Sequence, residues 1–261
     1  MKSESESSVF AGNSSVYEVI RIIAGVPLFL EDHFERLIRS MQLQNWKFEM
    51  SLSDFSQKIN ELILVNNQSE GNARFIYSSF GGNAVWNFSF IPHVYPDQND
   101  YLIGVDTELL FDERLNPNAK VIQSGIREKA DQMISEQKLY EVLLTDSTGL
   151  ITEGSRSNVF FVKGNVFYTA PESRVLVGIT RQKVIACLQE LGYRVVSEAV
   201  AKNNLKDFDA VFLTGTSPKV LPVRSIGRIQ FNPELACVKA VMKKYDDLIA
   251  GYVAEREMNQ K

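Results

Sequence analysis

Two stretches of this chain combine residue types that together can do chemistry. The first, L-I-T-E-G-S-R-S-N-V-F-F from Leu150 to Phe161, carries an acid, Glu153, into a small polar turn. Gly154 lets the backbone approach closely there, and Ser155, Ser157 and Asn158 offer short donors. The second, V-G-I-T-R from Val177 to Arg181, opens a helix after a glycine. Upstream of both sits Lys120. A lysine amine condenses with an aldehyde. A carboxylate keeps an adjacent ring nitrogen protonated, because a nearby opposite charge favours the charged form. A helix N-terminus takes a phosphate on its free N–H groups. The three together suit a phosphorylated cofactor that carries an aldehyde on a basic ring. Gly178, Ile179 and Thr180 supply the helix start, and Thr214, Gly215 and Thr216 form a second loop of N–H and hydroxyl donors after a strand.

These groups need elements to hold them. A strand rich in β-branched residues spans Val16–Ile23. A helix follows with Phe34, Leu37, Ile38 and Met41 at helical spacing, then another over Ser53–Val65 with Ser51 or Ser53 as its cap. Strands at Ala73–Phe80 and Ala84–Ile91 flank a Gly81-Gly82-Asn83 turn. Tyr101–Thr107 reads as a strand, Ile126–Leu139 as a helix, Tyr140–Thr145 as a buried strand, and Asn158–Tyr168 as a hairpin. Helix Ile179–Leu191 stops at Gly192, strands lie at Tyr193–Glu198 and Ala210–Leu213, and a long helix runs over Pro233–Glu255. The fold class expected is α/β (α+β) with two domains. Residues 1–13 form a disordered tail, 14–113 a smaller N-terminal domain, 114–119 a linker, and 120–261 a larger C-terminal domain that binds the cofactor.

Composition narrows the class. Hydrophobic residues make up 44% of the 261 residues, enough for full cores without a metal or disulfide staple. The net charge of −4 argues against nucleic acid or an anionic membrane as the main partner. No apolar run approaches a membrane span, and the polar Met1–Ser8 stretch does not read as a secretory signal. Cys187 and Cys237 sit among apolar neighbours in expected helices, which suggests buried thiols in a reducing compartment, the cytoplasm. With His33 and His93 the only histidines, a metal site is not expected.

These motifs resemble the class IV aminotransferases, the fold-type IV pyridoxal phosphate enzymes. That family includes branched-chain and D-amino acid aminotransferases and 4-amino-4-deoxychorismate lyases. The resemblance runs from about Tyr17 to about Pro222. It implies pyridoxal 5′-phosphate as cofactor, Lys120 as the residue that holds its aldehyde as a Schiff base, and Glu153 against the pyridine nitrogen. Composition does not separate Lys120 from the other basic residues; the resemblance selects it. D-H-F-E-R-L, from Asp32 to Leu37, matches the family motif whose arginine binds the phosphate, which assigns that role to Arg36. Gly178, Ile179, Thr180, Thr214, Gly215 and Thr216 would share the phosphate, with Ser157 and Asn158 beside the cofactor. The N-terminal strands wall the substrate pocket in the family, which points to Tyr17, Arg21, Arg74 and Tyr77 here.

One departure from the family stands out. Members carry Asn three or four places after the lysine, then Tyr or Arg; here the run is Gln123-Ser124-Gly125, and Arg127 is the nearest basic group. The resemblance implies a homodimer acting on an amino acid and a 2-oxo acid by amino-group transfer. Pyruvate elimination by a lyase and a non-catalytic relative are the alternatives. A nucleotide-binding role for Gly178–Thr180 has neither a glycine-rich fingerprint nor a phosphate-loop lysine to support it.

Overall fold

A computed structural model describes residues 15–80, 83–114 and 116–259. The expected tail, 1–13, and Gly81 and Gly82 of the expected hairpin turn lie outside the described residues. The chain divides into two compact units. One takes the described residues up to His93, with Ala119–Gln123 and the chain from Tyr252 onward; the other takes Val94–Asn118 and Ser124–Gly251.

Unit one is a four-stranded antiparallel sheet with helices on one face. Its strands are β1 (Ser15–Ile23), β2 (Val26–Pro27), β3 (Gly71–Phe80) and β4 (Asn83–Ile91), in the order β2-β1-β3-β4. Successive side chains on a strand face opposite sides, so Val16, Ile20 and Ile22 of β1 point together into a core. There they meet Leu37 and Met41 of α1 (Leu30–Leu43) and Phe55 and Ile59 of α2 (Leu52–Asn66). Helix α2 starts at Ser51 by reciprocal capping: Asp54 N–H donates to Ser51 Oγ at 3.1 Å, and Ser51 N–H to Asp54 Oδ2 at 3.3 Å. The Ala119–Gln123 segment runs along β1, where Val16 and Val121 form an antiparallel bridge.

Unit two is built on a larger mixed sheet. The strands are β5 (Val105–Phe111), β6 (Glu141–Thr145), β7 (Leu150–Gly154), β8 (Asn158–Lys163), β9 (Val166–Thr169), β10 (Arg194–Ser197), β11 (Val200–Ala201), β12 (Ala210–Gly215), β13 (Lys219–Ile226) and β14 (Ile229–Gln230). Their order is β10-β9-β8-β12-β13-β5-β6-β7-β11, with β14 on β13. Strand β7 ends on Glu153 and Gly154, and β8 starts four residues later at Asn158. Thr214, near the end of β12, is the cross-strand partner of Asn158. Three chain ends that carry site residues therefore gather at one end of the sheet. The helices of this unit are α3 (Gln98–Ile103), α4 (Ser124–Gln137), α5 (Ile179–Glu190) and α6 (Ala236–Asn259), whose last residues count with unit one.

The short strands β2, β11 and β14 were not expected, and two longer elements also differ from the sequence reading. Tyr101–Ile103, expected in a strand, close a helix instead. Asp97 and Asp100 cap its start reciprocally, at 2.8 and 3.0 Å, and Gly104 (φ 75°) ends it; the strand follows at Val105. Strand β13 was not expected; its Pro222 lies opposite Phe212 of β12. The segment 94–113 falls in unit two, with β5 bonded between β13 and β6, whereas Lys120 falls in unit one.

Phe55 is fully buried, with the rings of Phe88, Phe75 and Phe34 at 5.0, 5.2 and 5.4 Å. Phe55→Ala should lower stability by about 3–5 kcal/mol, the usual cost of emptying a large aromatic site. Denaturant titration reads this directly, and a loss under about 1 kcal/mol would show that the cluster collapses around the cavity.

Candidate active site

In unit one the backbone fixes Lys120 before its side chain does anything. Its N–H donates to Ser40 Oγ at 3.1 Å, its carbonyl accepts from Tyr17 N–H at 3.1 Å, and Ile122 N–H donates to the Ser15 carbonyl at 3.0 Å. The ammonium lies 4.5 Å from the centroid of the Tyr17 ring, a cation–π contact. Helix α1 buries a polar stripe, His33, Arg36 and Ser40, beside its apolar one. Facing it is Glu18, an acid at the core-facing register of β1 and fully buried. Arg36 donates to Glu18 through Nε at 2.8 Å and Nη2 at 2.6 Å, and His33 Nδ1 lies 2.8 Å from the same carboxylate. Burial raises the Glu18 carboxyl, but the charge and hydrogen bonds of Arg36, joined by His33, outweigh it and leave the pKa at about 2. Burial also pushes the His33 imidazole down; Glu18 opposes this, while Arg36 and Lys120 add to it, and the net shift is downward. Arg36, the expected phosphate ligand, is thus a buried cation held by two bonds to Glu18.

The four expected substrate residues split. The β1–β3 register pairs Val19 with Arg74 and Arg21 with Asn72, so Tyr17, Arg21 and Arg74 share one face of the sheet. Tyr77 pairs with Val16 on the other face. It is 5% exposed, packs against Trp46 and Phe48, and donates its hydroxyl to the Lys47 carbonyl at 3.0 Å. The pocket role expected of Tyr77 is therefore corrected to a core role. The strand alternation of R-F-I-Y-S carried this signal, since Arg74 and Tyr77 are an odd number of residues apart.

In unit two Glu153 is 2% exposed and held from three directions. Arg114 Nε stands 2.9 Å from its Oε1, Leu176 N–H donates to Oε2 at 3.1 Å, and Asn158 Nδ2 donates to Oε2 at 3.4 Å. Arg114 also donates to the Ser155 carbonyl at 2.5 Å. Arg181, itself buried, adds a second positive charge in range of Glu153 and donates to the Ala170 carbonyl at 3.0 Å. Asn158 joins the other expected donors. Its Nδ2 donates to the Leu176 carbonyl at 2.9 Å, and its Oδ1 sits so close to Gly178 that a Cβ there would be 2.2 Å away. Thr214 lies across the strand from it. The backbone at Gly215 approaches the same turn, with the Arg156 carbonyl 3.7 Å from where its Cβ would stand.

The residues of unit two fit a phosphorylated pyridine. Gly178 is the N-cap of α5 and no side chain caps it, which leaves the N–H groups that open the helix for an anion. Thr180 in the first turn is buried, as is Thr214, whose Oγ1 has no hydrogen-bond partner among the described residues. Glu153, clamped by a cation and an N–H, presents a fixed carboxylate. Thr216, Ser157 and Ile179 lie within or beside the same loops. Arg127 is on α4 in unit two. The sequence reading did not single out Arg114 or Glu18. Glu18 was legible as an acid in the core register of β1, between Val16 and Ile20; Arg114 lay in a stretch read as linker.

Comparison with known proteins identifies the family. A model of class IV amino-transferases matches residues 15–226. The D-alanine aminotransferase of Bacillus licheniformis is 30% identical over 224 residues, covering 81% of this chain and 78% of that one. A Legionella pneumophila protein assigned as a 4-amino-4-deoxychorismate lyase shares the fold with a TM-score of 0.82 at 22% identity, covering 90% of this chain and 91% of its own. The branched-chain amino acid aminotransferase of Escherichia coli shares it with a TM-score of 0.78 at 24% identity, covering 92% of this chain and 86% of its own. The chain belongs to the class IV aminotransferase family, an enzyme family whose cofactor is pyridoxal 5′-phosphate.

The Glu18 pair gives acid stability a definite sign. Its folded pKa lies below the ordinary 4.5, so the stabilisation is fully present above about pH 4.5 and is lost as the pH falls toward 2. Glu18→Gln leaves Arg36 buried without its counter-charge and should cost about 3–5 kcal/mol at neutral pH. It should also flatten the decline in stability between pH 4.5 and about 2. Urea titrations of both proteins across that range check this; parallel curves would remove Glu18 as the source.

Proposed function

We propose that the chain transfers an amino group between an amino acid and a 2-oxo acid, with Lys120 as the amine that attaches the cofactor and moves the proton. The observation that carries this is the buried Glu153, held by Arg114, Leu176 and Asn158 at the end of the sheet where α5 begins. Pyridoxal phosphate, when bound, supplies a protonated ring that accepts electrons from the substrate carbon. Glu153 keeps the proton on that ring nitrogen, because a fixed negative charge favours the protonated form. The N–H groups of Ile179 and Thr180 and the donors of Thr214, Gly215 and Thr216 would hold the phosphate, a role the family motif also gives Arg36, whose Nε and Nη2 are bonded to Glu18. Gly178, Ser157 and Asn158 shape the pocket around the ring. Tyr17 orients the Lys120 amine through its ring face, and Arg21 and Arg74 take the substrate carboxylate.

The enzyme acts as a cytoplasmic homodimer in amino acid metabolism. Two free buried cysteines support a reducing compartment. Val85 and Trp86, exposed on the edge strand β4, support a second copy as partner. Among the described residues no helix is long and apolar enough to cross a membrane.

Borohydride reduction of cofactor-loaded protein, followed by peptide mapping, should place a single adduct on Lys120; an adduct elsewhere moves the reactive amine. Incubation with an amino acid alone should convert bound cofactor to pyridoxamine phosphate. Release of pyruvate with unchanged cofactor would make the chain a lyase, and no reaction would make it a non-catalytic relative. Lys120→Ala should abolish turnover with an unchanged circular dichroism spectrum. Glu153→Gln should retain cofactor and slow proton transfer roughly 100-fold, the scale of losing one preorganised electrostatic group; an unchanged rate would remove Glu153 from this role.

A further inference from the structure

We infer that Glu141 is a positioning residue of this active site: its buried carboxylate locks the Gly154–Ser157 turn and so aims Glu153 and Asn158. The inference rests on the aminotransferase reading for its consequence in catalysis, but on geometry alone for the lock. Glu141 opens β6 and is 3% exposed. Its Oε1 accepts from Ser155 Oγ at 2.6 Å and Val142 N–H at 2.9 Å. Its Oε2 accepts from Arg156 N–H at 3.0 Å and Ser157 Oγ at 2.9 Å. A carboxylate has about four lone-pair sites, and each is met by a donor. Three of those donors come from consecutive residues of one turn. Among the described residues no basic side chain pairs with Glu141. A buried carboxylate is costly unless it is fully hydrogen-bonded, so the turn and the acid each require the other.

The turn has little other freedom. Gly154 N–H donates to the Ser157 carbonyl at 2.8 Å, and Ser155 N–H to the Val142 carbonyl at 3.0 Å. A Cβ on Gly154 would lie 2.2 Å from Ser157 Oγ and 3.0 Å from Glu141 Oε2, so the carboxylate packs flush against the glycine. Glu153 and Asn158 flank the turn and converge on the N–H and carbonyl of Leu176, two residues before the N-cap of α5. The grip of Glu141 therefore reaches the carboxylate for the ring nitrogen and the helix end for the phosphate.

The chemistry selects a carboxylate. A glutamine would keep the shape but set an NH2 group against donors of the turn. The serine hydroxyls can rotate to accept, but whichever way the amide turns, its NH2 meets a backbone N–H, of Val142 or of Arg156, that cannot. An aspartate keeps the charge but is one methylene shorter, so it reaches only part of the turn.

The test uses wild type, Glu141→Gln, Glu141→Asp and Ser155→Ala. Amide exchange of residues 154–157 in the protein without cofactor should speed up at least tenfold in Glu141→Gln; unchanged exchange overturns the lock. Titration with pyridoxal phosphate should show affinity weakened about tenfold, equal to about 1.4 kcal/mol. The visible circular dichroism of the bound cofactor should shrink, and kcat should fall more than KM changes. Glu141→Asp should restore part of each change. A Glu141→Gln protein that loses thermal stability yet binds cofactor with wild-type affinity and dichroism would overturn the positioning role. If Glu141→Gln does not fold, Ser155→Ala, which removes one of the four bonds, should shift exchange and dichroism the same way, and its silence would overturn the inference. A wild type that binds no cofactor, with exchange still faster in Glu141→Gln, would sink the aminotransferase reading and the catalytic consequence while leaving the lock.

Discussion

A carboxylate taken out of water must be met by donors, and much of this structure follows from where three such groups are placed. Glu18, Glu141 and Glu153 are each no more than 3% exposed. None could stand there alone, since an unmatched buried charge costs several kcal/mol. Each therefore fixes its neighbours. Glu18 draws Arg36 and His33 onto one face of α1 and ties that helix to β1. Glu141 draws in a turn, and Glu153 draws in a loop and an arginine from outside its own sheet pairing. The sheets supply platforms; the acids decide which loops lie where on them.

The three are satisfied in different ways, and the difference has consequences. Glu18 is matched by a cation in bidentate geometry, so protonating it strands a buried positive charge and couples unit one to pH. Glu141 is matched by neutral donors, two of them hydroxyls, so its cost is set by geometry more than by charge balance. Glu153 combines both: Arg114 and Arg181 bring positive charge to it, while Leu176 and Asn158 fix its direction.

How much of this the sequence showed depends on whether the signal was local. The strands and helices of unit one were legible because their alternation and helical spacing are short-range. Glu153, Asn158, Gly178 and Thr214 were legible as motifs, and unit two does bring them together around Asn158. The helix at Gln98–Ile103 was hidden because its decisive feature is a reciprocal Asp97–Asp100 cap, against a run of residues that also suits a strand. Strand β13 carries Pro222, a residue that argues against a central strand, and its ladder to β5 begins only at Val223. Tyr77 is three residues from Arg74, so strand alternation puts it on the opposite, core-facing side of β3. The partners of the acids were hardest to see, because a partner such as Arg114 lies far along the chain and reveals itself only when the turn is built.

The departure after Lys120 fits the same logic. In this chain the lysine backbone is held by Ser40 and Tyr17, and its ammonium rests over the Tyr17 ring. Those contacts come from α1 and β1, the elements that Glu18 and Arg36 tie together. The residues that follow, Val121 and Ile122, add a strand-like bridge to β1 and no polar group. The lysine backbone is thus held from the side, by α1 and β1, and Ser124 and Gly125 open α4. A substitution at Ser124 or Gly125 would act on the entry to a helix, whereas one at Ser40 would act on the lysine backbone and one at Tyr17 on the ring beneath its ammonium.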